Sequence, residues 1–369
     1  MKQFKFLLIL SAGFFALLMS SCENQEVDFP DYDFSAVYFP YQYPVRTIVL
    51  GEDIFDNTLD NEHKCMIYAT VAGLYSNNKD ITIDFEVDNS ICDNLYYDSE
   101  FASPVLAMPS NYYSIDADQI TLSKSLQGGI EVQLTEAFFA DNKSLNNTYV
   151  IPLKMTNVVN ADSILSGDPL FNNARRGANS DWNVLPKDYV LYCVKFINPY
   201  HANYLRRGKD AITDDGETTT NTRHANYVED DELKKLTTLS LSGVSLPLNY
   251  KSQINQDLGI KLKLNFNDEN ACTISPSETE YNLSDTCRIY NITATGSGQY
   301  VSKGEKNSWG NKDRDALYLS YQIGYEVEIN YKHKDSIDIQ TVSVTTLDTL
   351  VLRDRGVTME TFSPSYKFD

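Results

Sequence analysis

The side chains best suited to chemistry lie in one polar segment, 300–315, where Trp309 stands between Gly304 and Gly310. Asn307, Asn311, Asp313 and Arg314 flank it, and Tyr300 opens the segment. Sugars present CH faces that stack on aromatic rings and hydroxyls that pair with amides, carboxylates and guanidinium groups. The expected ligand-binding residues are therefore Trp309, Asn307, Asn311, Asp313, Arg314 and Tyr300, with a glycan as partner. The competing expectation is that Trp309 folds back to plug the end of its domain. Enzyme patterns are scarce. His63, His201, His224 and His333 are far apart and form neither H-E-x-x-H nor a paired zinc pattern, and the chain has no G-x-S-x-G elbow and no P-loop. Asp214-Asp215-Gly216-Glu217 gathers hard oxygen ligands but misses the EF-hand spacing, so it reads as a solvated loop. No catalytic residue, cofactor or metal site is expected.

A different chemistry is written at the N-terminus. Lys2 and Lys5 precede an uncharged apolar run from Phe6 to Met19, and Ser20-Ser21-Cys22 follows. This is the order of a secretory signal, and the run is short against the about 20 residues of a spanning helix. A cysteine directly behind two small residues resembles a bacterial lipobox, with Met19 where Leu is usual. Cys22 is then the lipidated first residue of the exported chain. The acids that follow (Glu23, Glu26, Asp28, Asp31 and Asp33) form a solvated tether and resemble an outer-surface export signal of Bacteroidota lipoproteins. Cys65, Cys92, Cys193, Cys272 and Cys287 remain, an odd number. Cys272 with Cys287 and Cys65 with Cys92 are the local pairing options, and unpaired core thiols are the alternative.

These groups need a framework to place them. A formal charge of -20 disfavours nucleic acid and anionic headgroups, which bind through Lys and Arg. With 42% hydrophobic residues, 25 Tyr and 17 Phe, the chain has folded cores. Its length suits two domains at about 100–200 residues each. From 34 to 158 the period is two, as in Ile81-Thr82-Ile83-Asp84-Phe85, with Asn, Asp, Gly and Pro between the runs. That predicts a two-sheet sandwich. Residues 159–186 lose the alternation and read as a linker. From 187 to 369 longer strands follow closely, starting with Asp188-Tyr189-Val190-Leu191-Tyr192-Cys193-Val194-Lys195-Phe196. An up-and-down antiparallel barrel is expected there, since closure removes sheet edges. The only helix-like stretch is 229–236. The expected organisation is a signal peptide over 1–21, a tether over 22–33, a sandwich over 34–158, a linker over 159–186 and a barrel over 187–369.

The chain also resembles a family of two-domain Bacteroidota surface lipoproteins of unknown function. The residues that carry the resemblance are Val37-Tyr38-Phe39, Met108-Pro109-Ser110-Asn111-Tyr112-Tyr113 and Tyr149-Val150-Ile151-Pro152-Leu153 in the first half. In the second they are Val194 to His201, Arg206-Arg207-Gly208-Lys209-Asp210 and Leu352-Arg353-Asp354-Arg355-Gly356-Val357. The resemblance implies an all-β protein with an Ig-like N-terminal β-sandwich and a lipocalin-like C-terminal antiparallel β-barrel. It also implies an outer-membrane setting beside glycan importers of the starch-utilisation type. The first domain of that family occurs fused to endoglycosidases with a D-x-x-D-x-D-x-E strand end, and that string is absent here. The expected function is non-catalytic glycan binding at the cell surface by a lipid-anchored protein, with an importer complex as a further partner. An adhesin or docking subunit is the alternative.

Overall fold

The computed structural model describes residues 32–251, 257–284, 286–331 and 336–368; the expected signal peptide, Cys22 and most of the expected tether lie outside them. The molecule is nearly all β, as the alternating pattern predicts. In the first half, two sheets face one another. One carries, in order, Ser163–Ile164, Ala36–Tyr38, Lys64–Ala72, Gln127–Leu134 and Tyr113–Ser114; the other carries Glu360–Thr361, Pro44–Val49, Tyr189–Ile197, Tyr149–Val159, Asp80–Val87 and Gln119–Ser123. Successive side chains of a strand point to opposite faces, so Cys65, Ile67, Ala69 and Val71 enter the core while Tyr68 stays outside. Ile48, Ile83, Ile120, Val132 and Phe196 meet them there.

The strand Tyr189–Ile197 corrects the expected boundary at 187. It does not open the second domain. It lies in the middle of the first domain's second sheet, parallel to Pro44–Val49 and antiparallel to Tyr149–Val159. Its near-continuous apolar run is the mark of a strand buried on both faces. Val190, Val194 and Phe196 join the core between the sheets, whereas Tyr189, Leu191 and Cys193 join a smaller core on the far side with Leu95 and Phe362. Nor is 159–186 a loose linker. Ser163–Ile164 pairs in parallel with Ala36–Val37, Asp168–Pro169 pairs with Trp182–Val184, and Arg176 holds Asp188 through two bonds of 3.0 and 2.7 Å.

The second half is a ten-stranded antiparallel sheet. Ala202–Asp214, its first long strand, pairs with Ser336–Asp354, its last, from Asn203 to Asp214, so the sheet closes into a barrel. Between them the ring runs through Glu232–Thr238, Gly243–Lys251, Asp257–Phe266, Ala271–Pro276, Cys287–Glu305 and Arg314–Tyr331. Leu246, Ile260, Leu262, Ile289, Leu319 and Ile323 fill much of the interior. The stretch read as helix-like is a short 3-10 turn, Val228–Asp230, and then a strand. Pairing of Glu232 to Leu236 with Arg206 to Ala202 overrides the local charge pattern. One seam is incomplete. Among the described residues, Glu232–Thr238 and Gly243–Lys251 pair only at Thr237 with Ser245 and Thr238 with Val244, so the wall parts beyond that point.

The halves are joined by more than one connection. The Asn198 side chain donates to the Ser240 and Gly243 carbonyls and accepts from the Tyr200 and His201 amides, which fixes the corner between them. Arg355, at the end of the barrel, donates to four carbonyls: His201, Asn198, Leu50 and Glu52. Gly51 has φ +88 and lies so close to Pro199 that a Cβ would stand 2.7 Å from that ring. The chain then returns to the first domain, where Glu360–Thr361 pairs with Pro44–Val45 and Ser365–Tyr366 pairs with Leu95–Tyr96.

The disulfide options are overturned: all five described cysteines are free and buried. Cys272 lies opposite Gly298, and Cys287 begins that same strand, about 35 Å away at ~3.3 Å per residue. Cys65 belongs to the core between the sheets and Cys92 to the core on the far side.

Candidate ligand-binding site

The structure gathers most of the expected site residues in one tight loop and engages Asp313, Arg314 and the Trp309 N–H in bonds within the protein. Trp309–Asn311 is a single 3-10 turn, with Asn307, Gly310 and Asn311 in the left-handed region at φ 47, 68 and 54. Asp313 accepts the Asn307 amide at 3.1 Å and the Lys306 ammonium at 3.0 Å; the first bond above all holds its carboxyl below the usual range. The Arg314 guanidinium covers one face of the Trp309 ring, 3.5 Å from its centroid, and its Nε donates to the Trp309 carbonyl. The indole N–H donates to the Leu352 carbonyl at 3.1 Å and the residue is half-buried. Tyr300 is turned elsewhere. Its ring edge meets Tyr200 at 5.4 Å and its hydroxyl donates to Asp315 at 2.8 Å, at the end of the barrel core. The 214–217 segment is a hairpin turn with Asp215 at φ 45 and Gly216 at φ 91. Among the described residues no three His, Cys, Asp or Glu groups stand together as metal ligands.

A better-formed concavity lies on the first domain. It holds about 400 Å³ and is lined by Tyr41, Tyr68, Tyr192, Pro44, Arg46 and Gln127 among others. Tyr68 comes from Lys64–Ala72 on one sheet; Arg46 and Tyr192 come from neighbouring strands of the other, so the groove opens between the sheets. Tyr41 is 52% and Tyr68 48% exposed, so both rings present a face to solvent at the groove. Arg46 is held by an ion pair with buried Asp60 and by a 3.1 Å bond to the Thr47 carbonyl, so its guanidinium is oriented before any ligand arrives. Cys65 lines the groove, and burial pushes its thiol up to about 12, so it is no nucleophile. Aromatic faces with a fixed guanidinium and an exposed amide suit a ligand with CH faces and hydroxyls. Sequence reading missed this site because its residues, from 40 to 192, meet only through sheet packing.

Inside the barrel lies a buried ionic cluster that sequence reading also missed. Arg206 donates to Asp348 at 2.8 Å and to Glu232 and Tyr321 at 3.0 Å. Arg223 bridges Asp210 and Asp348 through one nitrogen, at 2.8 and 2.6 Å. Two carboxylates that close invite comparison with a glycosidase pair, which needs one of them protonated. Burial works toward that at Asp210, but the bonds from Arg223 and Thr346 outweigh it and keep its pKa below the usual value. The cluster therefore offers no general acid there.

A crystal structure of a Bacteroides ovatus protein of unknown function is 41% identical to this chain, covering 92% of it and 100% of that protein, with a TM-score of 0.79. The chain belongs to that protein's family. Within the family's architecture, a model described as a domain of unknown function (DUF5627) matches residues 199–356, which is the barrel up to Gly356. A second model, described as an N-terminal domain, matches residues 31–162. Neither covers the central strand Tyr189–Ile197. A further Bacteroides ovatus protein of unknown function (13% identity, 89% of this chain and 99% of that one) has a TM-score of 0.39. An auxiliary nutrient binding protein from Bacteroides thetaiotaomicron (12% identity, 86% and 95%) has a TM-score of 0.35. No curated protein matches.

Proposed function

We propose that this protein is a non-catalytic, lipid-anchored glycan-binding protein of the outer membrane that serves a polysaccharide uptake system at the cell surface. The observation that carries the reading is the 400 Å³ groove with two half-exposed tyrosines beside a prearranged arginine. Its size and composition suit one or two sugar rings, because small-ligand sites are concave, largely carbon-lined and polar at a few fixed points. The Ser20-Ser21-Cys22 pattern supports the anchor, and the acidic tether supports outward display. In this reading the Ig-like sandwich holds the sugar, and the lipocalin-like barrel is its rigid neighbour. The groove is favoured over the Trp309 loop because Asp313, Arg314 and the Trp309 N–H are already bonded within the protein.

A glycan array with the purified protein and the variants Tyr68→Ala, Tyr41→Ala and Trp309→Ala tests this. Binding to one glycan class that falls about tenfold in the Tyr68 and Tyr41 variants, a loss of about 1.4 kcal/mol, and persists in the Trp309 variant is the expected result. Loss only in Trp309→Ala moves the site to the loop. Silence on every glycan from a folded protein favours the docking alternative.

A further inference from the structure

The parted seam of the barrel is lined by groups that a plain structural wall does not need. On one lip stand Glu232 and Lys234, with Arg223 of the strand Glu217–Arg223 bringing its Nη1 to 4.0 Å from Glu232, and on the other stands Tyr250, near the end of Gly243–Lys251. Tyr250 pairs its ring with Tyr325 at 6.0 Å, and burial first, with the charges of Arg206, Asp210, Asp348 and Arg223 acting after it, pushes its hydroxyl pKa well above the usual value. The cluster is charge-balanced: Arg206, Arg223 and Lys234 face Asp210, Asp348 and Glu232 across bonds of 2.6 to 3.0 Å. Yet it is not closed. Arg223 Nη1 and the Tyr250 hydroxyl are buried without a hydrogen-bond partner, as is Nε2 of Gln340, a residue only 2% exposed inside the same barrel. Unpaired buried polar atoms are costly, so donors left open beside this cluster point to a polar occupant.

We propose that the parted seam is a second binding site, separate from the sandwich groove, that takes the hydroxyl-rich edge of a neutral sugar or polyol. Arg223 Nη1 and the Tyr250 hydroxyl donate to its oxygens, and the Tyr250 and Tyr325 rings cover its CH face. The ligand is neutral because the arginines are already matched by carboxylates and the chain carries -20, so an added anion meets no unbalanced positive charge. This inference rests on the reading of the protein as a sugar binder, but not on the groove.

Calorimetric titration of the purified full chain with D-glucose, D-galactose, D-mannose, cellobiose and glycerol tests it, using wild type, Tyr250→Phe and Tyr68→Ala. The Tyr250 hydroxyl makes no internal hydrogen bond, so Tyr250→Phe keeps the fold, and an unchanged unfolding midpoint verifies that. The expected result is two separable binding events, one that weakens tenfold or more in Tyr250→Phe and is unchanged in Tyr68→Ala, and one that weakens in Tyr68→Ala and is unchanged in Tyr250→Phe. Should Tyr250→Phe match wild type for every probe, the proposal is overturned and the groove reading stands on the Tyr68 result. Binding that needs Tyr250 alone upholds the seam and removes the groove. A crystal structure at saturating sugar with only water between Arg223 and Tyr250 also overturns it.

Discussion

At the residue scale, the groups that decide stability are those whose bonds cross between domains. Arg355 is 5% exposed and satisfies four carbonyls from both sides of the junction. Replacing it with Met leaves buried acceptors without donors, and a loss of about 3–5 kcal/mol is expected in denaturant unfolding. His201 stands beside it, with Nδ1 accepting the Thr238 amide at 3.1 Å. Burial first, then Lys235, Arg355 and Lys195, lower its pKa from 6.5 to about 4. Between those pH values the unfolded chain holds a proton that the folded chain refuses. Stability is therefore full above about pH 6.5 and falls as pH drops toward 4, by about 2–3 kcal/mol. His201→Gln is expected to flatten that slope in a series of urea midpoints. The thiols offer a third test. Thiol titration of the native protein is expected to find no reactive cysteine, and in denaturant five should react from Cys65, Cys92, Cys193, Cys272 and Cys287. A count of three would restore one disulfide.

At the element scale, the C-terminal strap makes the first domain depend on residues far along the chain. Phe362 is buried against Tyr43 and Tyr97, with centroids at 5.4 and 4.8 Å, and Lys195 pairs with Glu360 at 2.7 Å. Phe362→Ala is expected to cost about 3 kcal/mol. Truncation after Gly356 is expected to raise hydrogen exchange in Pro44–Val49 and Leu95–Tyr96, their strap partners, while the barrel strands stay protected. Equal loss of protection in the barrel would show that the strap supports the whole molecule instead. Most strands were legible from period-two alternation. Tyr189–Ile197 was legible as a strand but not as part of the first domain, because an apolar run buried on two faces does not name its neighbours. The stretch at 229–236 was misread because an acidic run followed by two lysines fits a helix as well as an ion-paired strand.

At the scale of the whole molecule, the sandwich and barrel are held together by the Asn198 corner, Arg355 and the returning strap. A single cooperative thermal transition is expected by calorimetry, and in Arg355→Met it should split into two. Several properties were determined by the sequence alone, because they depend on local order or on totals. These are the all-β class, set by alternation, and the acidic surface, set by composition. The proposed export and lipid anchor rest likewise on local order, that of residues 1–22. The sites were not determined in this way. Only tertiary structure turned one face of Trp309 under Arg314 and its N–H toward Leu352. Only sheet packing brought Tyr41, Arg46, Tyr68, Gln127 and Tyr192 around one groove, and only barrel closure brought Arg206 and Arg223 onto Asp348. The reason is physical. Alternation tells which side of a strand is buried, while register and strand order decide what it is buried against.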